Sequence, residues 1–443
     1  MKKILLIFFA GCATIVNAQT ITTVAGTGTA GHSGDGGQAI AAKINNPTSV
    51  AFDASGNFYF AEASSNVVRR VSPSGVISTI AGTEIAGYSG DGGPAPFAML
   101  NRPTTVTVDA TGNIYISDNG NNRVRKIDAA TGNISTVAGT GTAGYNTDGI
   151  AATLASINNP VGVACDASGN VYIADNGNYR IRKVNTSGII STYAGYGSRG
   201  SAGEGGPATS AELYNVNGLA CDKSGNLYLT DNDRIRKVDA ATHFLKTIAG
   251  NGIYGFYGDG LPATSAELWS PYAVSVDAAG NVYIADQYNW RVRQVDAGGI
   301  MHTLAGNGSP GYAGDGGSAI TAKLYAPKGI ALDSCGNLFI ADNLNNRIRK
   351  VTYTDCPPLS VNNIKSEEAI NTYPNPTNGL LNINNVKTPS TYRIINIVGS
   401  VLQQGSLKEG SNPISLQTIA NGMYLLEVAN DKGEKTITKI IKQ

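Results

Sequence analysis

The sequence predicts an all-β fold: a β-propeller of six four-stranded blades followed by a small β-sandwich. Three observations carry that expectation. Ala-Gly dipeptides ending "TVAG"-type runs begin at Ala25, Ala81, Ala138, Ala194, Ala249 and Ala305, spaced by 56, 57, 56, 55 and 56 residues. Within each period, four short β-branched runs alternate in polarity and are separated by turn residues. The two ends of the array are complementary. The last unit, Gly329–Val351, lacks a fourth strand, whereas a lone fourth strand, Ile21–Gly26, precedes the first unit. The N-terminal run is therefore expected to complete the sixth blade, which leaves no exposed sheet edge.

The third repeat, "NPVGVACDASGNVYIADNGNYRIRKVNTSGIISTYAG", shows the order of elements. Strand a is read at Val161–Cys165, b at Val171–Ala174, c at Arg180–Val184 and d at Ile189–Ala194. Gly-Asn pairs at 56–57, 112–113, 169–170, 225–226, 280–281 and 336–337 supply tight a–b turns. Pro47, Pro103, Pro160, Pro271 and Pro327 mark the start of strand a, where a missing N–H is tolerated; the fourth repeat has Val216-Asn217 instead.

The composition is that of a chain with a large core. Of 443 residues 42% are hydrophobic and 15% charged, and the 55 glycines follow no collagen period. A formal net charge of +1 gives no electrostatic basis for binding nucleic acid or an anionic membrane. Residues 1–18, "MKKILLIFFAGCATIVNA", read as a signal peptide with Lys2 and Lys3 before a short apolar run, cleaved after Ala18. Phe9-Ala10-Gly11-Cys12 leaves open lipidation at Cys12. No later stretch reads as a membrane helix.

The segment "GNIYISDNGNNRVRKID" (Gly112–Asp128) and its counterparts resemble NHL repeats, and the resemblance extends from about Ile21 to Val351. It implies a propeller that serves as a binding platform or, in some members, a lyase. Residues 19–354 are assigned to the propeller and 355–368 to a linker, and 369–443 resemble the C-terminal sorting domain of type IX secretion cargo. That second resemblance rests on Tyr373, Pro374, Asn375, Pro376 and Gly379, then Gly399, Gly422 and Tyr424. It implies a β-sandwich recognised by secretion machinery, and a protein that is secreted or held at the outer cell surface.

Strands of alternating direction put the b–c and d–a connections on one face. The d–a connections are about 20 residues long, which makes them candidates for function. Each carries a "GDGG"-type segment with Asp35, Asp91, Asp148, Glu204, Asp259 or Asp315. Three residues before these stand His32, Tyr88, Tyr145, Ser201, Phe256 and Tyr312. Acids beside aromatics suit a carbohydrate, so the six acids with Tyr88, Tyr145 and Tyr312 are candidate ligand groups. The competing reading is structural: a Gly-rich acidic turn leads into a short helix such as "PATSAELWSP", and its acid satisfies backbone N–H groups. Six-fold recurrence favours structure, and acids spread around a rim are too far apart to share one calcium ion.

A second recurrent pair joins the end of strand b to the start of strand c. It is Asp118 with Arg123, Asp175 with Arg180, Asp231 with Arg234, Asp286 with Arg291 and Asp342 with Arg347. These are read as structural hydrogen-bonding partners. The first repeat departs, with Glu62 and Val67 at these positions. Cys165 and Cys221 read as small core residues, whereas Cys335 and Cys356 fall on one face and are a candidate disulfide.

The three histidines, His32, His243 and His302, fall in unrelated positions and form no metal set, and neither a G-x-S-x-G nor an H-E-x-x-H motif occurs. No cofactor or metal is expected. Carboxylates facing one another across a channel leave glycoside chemistry open. The sequence thus points to an exported binding module for a glycan or a protein, with a polysaccharide-active lyase and a structural adhesion component as alternatives.

Overall fold

The computed structural model describes residues 19–353, 371–395, 401–431 and 435–442. The expected signal peptide with Cys12, the linker, Cys356 and Gly399 lie outside the described residues. The chain divides into two compact units at Asp355/Cys356.

The first unit holds six antiparallel sheets, one per sequence repeat. In the third repeat, strand a is Pro160–Cys165, b Val171–Asp175, c Arg180–Val184 and d Ile189–Ala194, each paired with the next. Alternation explains the registers: Val171, Ile173 and Val184 are buried on one side, Tyr172, Ala174 and Ile181 on the other, so both faces of every sheet meet a neighbour. The sheet of the sixth repeat contains Pro327–Leu332, Leu338–Asp342, Arg347–Thr352 and, from the chain start, Thr20–Ala25. Thr20 pairs with Thr352 and Thr22 with Lys350, and Ile21 is fully buried.

Strand a of each sheet packs beside strand a of two other sheets, and Pro327–Leu332 lies beside Ala51–Phe52. Approach is close: a Cβ at Gly329 would lie 2.3 Å from the Ser49 Cα. These inner strands line a cavity of about 240 Å³ whose walls include Thr48, Val106, Cys165, Asn217, Tyr272 and Ile330. No acid and no histidine lines it. Cys165 and Cys221 are free thiols in that wall, half-buried, with burial pushing both thiol pKa values up.

The expected short helices are single 3-10 turns, among them Ala39–Ala41, Ala95–Phe97, Ala263–Ser265 and Ala319–Thr321. Pro94, Pro207 and Pro262 immediately precede their turns, and the first alanine of each turn is buried.

The second unit has two sheets. One contains Asn371–Tyr373, Leu380–Val386 and Gly410–Ser415; the other contains Val401–Leu407, Ser390–Ile395, Gly422–Asn430 and Lys435–Lys442. Leu381, Ile383 and Ile414 from the first join Ile394, Leu426 and Ile440 from the second in one core. Pro374 and Pro376 follow cis peptide bonds, Asn375 Oδ1 accepts from the Ile441 N–H at 2.9 Å, and the Tyr424 hydroxyl donates to Ala420 O at 2.7 Å.

Candidate functional site

The acids of the d–a loops are held from behind. In the third repeat Asp148 Oδ1 accepts from Arg182 at 2.7 Å, and Asp148 Oδ2 accepts from the Thr192 N–H at 2.9 Å. Asp91 meets Arg125 at 2.5 Å, the Thr136 N–H and hydroxyl at 3.1 and 2.7 Å, and the Tyr88 hydroxyl at 2.9 Å. Asp35, Asp259 and Asp315 pair with Arg69, Arg293 and Arg349 at 2.6, 2.7 and 2.6 Å. Glu204, one methylene longer, approaches Arg236 at 3.8 Å and binds the Thr247 N–H at 2.6 Å.

Each of these arginines is almost fully buried and also faces the acid that ends strand b. Arg69 meets Glu62 at 2.9 Å, Arg125 meets Asp118 at 3.3 Å, and Arg182 meets Asp175 at 3.5 Å. The set continues with Arg236 and Asp231 at 3.0 Å, Arg293 and Asp286 at 3.7 Å, and Arg349 and Asp342 at 3.3 Å. Six acid–arginine–acid units result, one per repeat. The inner acids also clamp the chain just before strand a: their Oδ1 accepts from the N–H of Asn101, Asn158, Tyr214, Trp269 or Tyr325 at 2.7–2.8 Å.

The arginine partner is therefore not the one that opens strand c. Asp118 and Arg123 are opposite in register, as are Asp175 with Arg180 and Asp342 with Arg347, but the first arginine turns outward. Arg123 donates to Thr140 O at 2.5 Å and stacks 3.6 Å from the Tyr88 centroid. Arg180 over Tyr145, Arg291 over Phe256 and Arg347 over Tyr312 repeat the contact at 4.1, 3.6 and 3.6 Å. Gly141 has φ +93°, and a Cβ there would meet the Arg123 guanidinium at 2.2 Å. The second arginine of R-x-R lies two residues further along the same side of the strand, so alternation with Val124 does not separate it from the first; it stands opposite the strand interior, Arg125 against Ile116, instead of at the strand end. In the first repeat Val67 replaces the outer arginine, yet Arg69 keeps the unit complete with Glu62.

One cation between two carboxylates carries net negative charge, and in the buried half that charge is costly. Burial pushes Asp175, Asp231, Asp286 and Asp342 up to about 6 and Glu62 to about 7, against the pull of their arginines. The outer acids Asp35, Asp91, Asp148 and Asp315 shift the other way: burial works against ionisation, but threonine hydrogen bonds and the arginine outweigh it.

The side chain at the clamped position is free to vary, because its backbone N–H makes the bond. In repeats two and three it is Asn101 or Asn158, folded over a b–c loop glycine: a Cβ on Gly120 would lie 2.5 Å from Asn101 Cγ. In repeat five the same two places hold Trp269 and Tyr288, and in repeat six Tyr325 and Leu344. Trp269 contacts both Tyr254 and Tyr288, each with its ring centroid 5.8 Å away and its plane tilted, by 43° and 59°. Tyr254, Trp269 and Tyr288 are 68%, 41% and 45% exposed, a platform on the b–c/d–a face that breaks the six-fold pattern. Sequence reading missed it by following what recurs.

The histidines are dispersed: His32 bridges Glu84 and Thr79 at 2.9 Å each, His302 faces Asp296 at 2.9 Å, and His243 packs edge-on to Tyr193. Among the described residues no group of three or more His, Cys, Asp or Glu is placed to hold a metal ion. Cys335 is disulfide-bonded.

Six antiparallel sheets packed by their inner strands, with recurrent R-x-R strands and Gly-rich connections, define an NHL-type propeller. The teneurin NHL domain model matches residues 17–89, 142–202 and 308–402, more than half of the chain, and the NHL repeat model matches 100–127. The chain belongs to that NHL family. Residues 371–443 match the secretion system C-terminal sorting domain, which marks the chain for secretion or the cell surface. Mouse teneurin-3 is 29% identical over 88% of this chain, and human teneurin-4 is 29% identical over 69%. The chain spans 15% and 12% of their lengths. Among solved structures, one from Bacteroides thetaiotaomicron described as an auxiliary nutrient binding protein aligns with TM-score 0.55 at 17% identity, covering 75% of this chain and 76% of that one. A second protein from the same organism, of unknown function, gives 0.56 at 18%, covering 76% of each chain. These likenesses are of fold.

Two outcomes are expected. Arg182→Met strands two carboxylates and should cost about 3–5 kcal/mol, whereas Asp148→Ala should cost about 1.5–3 kcal/mol, both read by urea denaturation. Between the ordinary value of 3.8 and about 6 the folded protein binds more protons at the inner aspartates than the unfolded chain. Their contribution is complete at low pH and is lost as pH rises through about 6; that of the outer acids is complete above their ordinary value and is lost as pH falls below it. The urea midpoint should therefore be higher at pH 5 than at pH 8, and a midpoint that rises steadily to pH 8 would contradict the proton uptake.

Proposed function

We propose that the protein is an exported binding module that takes up a glycan on the aromatic platform of repeat five, not on the ring of acidic loops. The six sheets are read as six blades of one ring, completed by the N-terminal strand and by a Cys335–Cys356 disulfide. The pairing of Thr20–Ala25 with Arg347–Thr352, and the inner strands that follow one another around one cavity, support that reading.

The observation that carries the functional reading is the exposed cluster of Tyr254, Trp269 and Tyr288, whose rings are tilted against one another. Large aromatics exposed side by side cost hydration free energy, and a pyranose covers them with its C–H face while their hydroxyl and indole N–H groups bond its hydroxyls. The acids named from sequence are poorly suited: their oxygens already accept from arginine and threonine, and Tyr88, Tyr145 and Tyr312 are stacked on arginine. The nutrient-binding description of a structural neighbour is consistent with this class of role. A lyase reading gains nothing from the cavity, whose wall carries no acid or histidine.

Trp269→Ala should weaken binding to a responsive polysaccharide at least ten-fold in affinity electrophoresis or calorimetry, while Tyr88→Phe should leave it unchanged. The reverse pattern would return the site to the acidic loops.

A further inference from the structure

Beside the platform, the residue following the strand-a proline departs from its counterparts. In repeats one and two it is a buried threonine that donates to the next inner strand, Thr48 Oγ1 to Thr104 O at 2.7 Å and Thr104 Oγ1 to Val161 O at 2.9 Å. In repeats five and six it is Tyr272 and Lys328, and Lys328 Nζ lies 4.9 Å from the Tyr272 ring centroid. Both are half-buried, and Tyr272 lines the central cavity. Arg102, at the corresponding turn of repeat two, is near enough for its charge to act on both. Its backbone is anchored by Asn66, with φ +50°, and its side chain is exposed.

Among the described residues no carboxylate lies within ion-pair distance of Lys328 or Arg102, whereas each of the six buried arginines of strand c has two. We propose that Lys328, Arg102 and the Tyr272 hydroxyl form an anion subsite at the channel mouth, and that the glycan held by the platform is an acidic one, carboxylated or sulfated. This inference rests on the platform reading for the glycan but not for the anion.

A half-buried ammonium beside a second cation is electrostatically unsatisfied. Burial, then Arg102, pulls the Lys328 pKa down, and an arriving anion would reverse that. Burial pushes Tyr272 up to about 12, so it remains a hydroxyl donor at neutral pH. Trp269 stands three residues before Tyr272, and Tyr325 three before Lys328, so platform and subsite are borne on the same two strand entries.

The test is calorimetric titration of the full chain with a polyuronate, a sulfated polysaccharide and the carboxyl-reduced polyuronate. At least one acidic polymer should bind at least ten-fold tighter than the reduced one, and which does so separates carboxylate from sulfate. Lys328→Met should abolish that preference and Lys328→Arg should keep it, whereas Trp269→Ala should weaken acidic and neutral polymers alike. An acid preference that survives Lys328→Met, or equal binding of all three polymers, overturns the subsite while the platform stands. If no polymer binds, the platform reading fails; free glucuronate or glucose sulfate must then still bind the wild type and be lost in Lys328→Met, or the subsite falls with it.

Discussion

The rest of the structure depends on a buried arginine held between two carboxylates. Its guanidinium joins the strand end to the long connection in each repeat, and in repeats two, four, five and six it also bonds the segment leading to the inner strand. Arg125 does this through Asp118, Asp91 and the carbonyls of Ser89 and Met99. A planar donor fork suits that task where a lysine would not. Such a unit is expensive to desolvate, and what it secures is a fixed path for about 20 residues of loop without a conventional helix or strand.

That fixation separates scaffold from variable surface. The clamp on the chain before strand a uses a backbone N–H, so asparagine, tyrosine or tryptophan is accepted there with the same bond. In repeats two, three, five and six the facing b–c residue varies in step: glycine where asparagine folds down, tyrosine or leucine where an aromatic stands. At these two places repeats two and three thereby present asparagine and glycine, and repeats five and six present Trp269 with Tyr288 and Tyr325 with Leu344.

Much of the fold was legible because it repeats. The period, the proline before strand a and the Gly-Asn turns give strands within a residue of those observed; strand b of the third repeat ends at Asp175 instead of Ala174. The arginine that carries the ion pairs was not singled out: Arg123 and Arg125 both recur and, two residues apart, lie on the same side of strand c, so alternation does not tell them apart. The platform was hidden for the opposite reason. Trp269 and Tyr288 are 19 residues apart with no shared motif, and their contact arises from the loop geometry the arginines impose. Lys328 was hidden similarly, since the absence of a partner cannot be seen along a chain.

The claim that the acidic ring is scaffold and the ligand surface lies on the non-repeating side is tested most directly by hydrogen-exchange mass spectrometry with and without a binding polysaccharide. Added protection should concentrate in residues 252–258, 267–272, 286–290 and 323–328, with the acidic loops of repeats one to three unchanged. Protection spread evenly over the loops around Asp35, Asp91, Asp148, Glu204, Asp259 and Asp315 would contradict it.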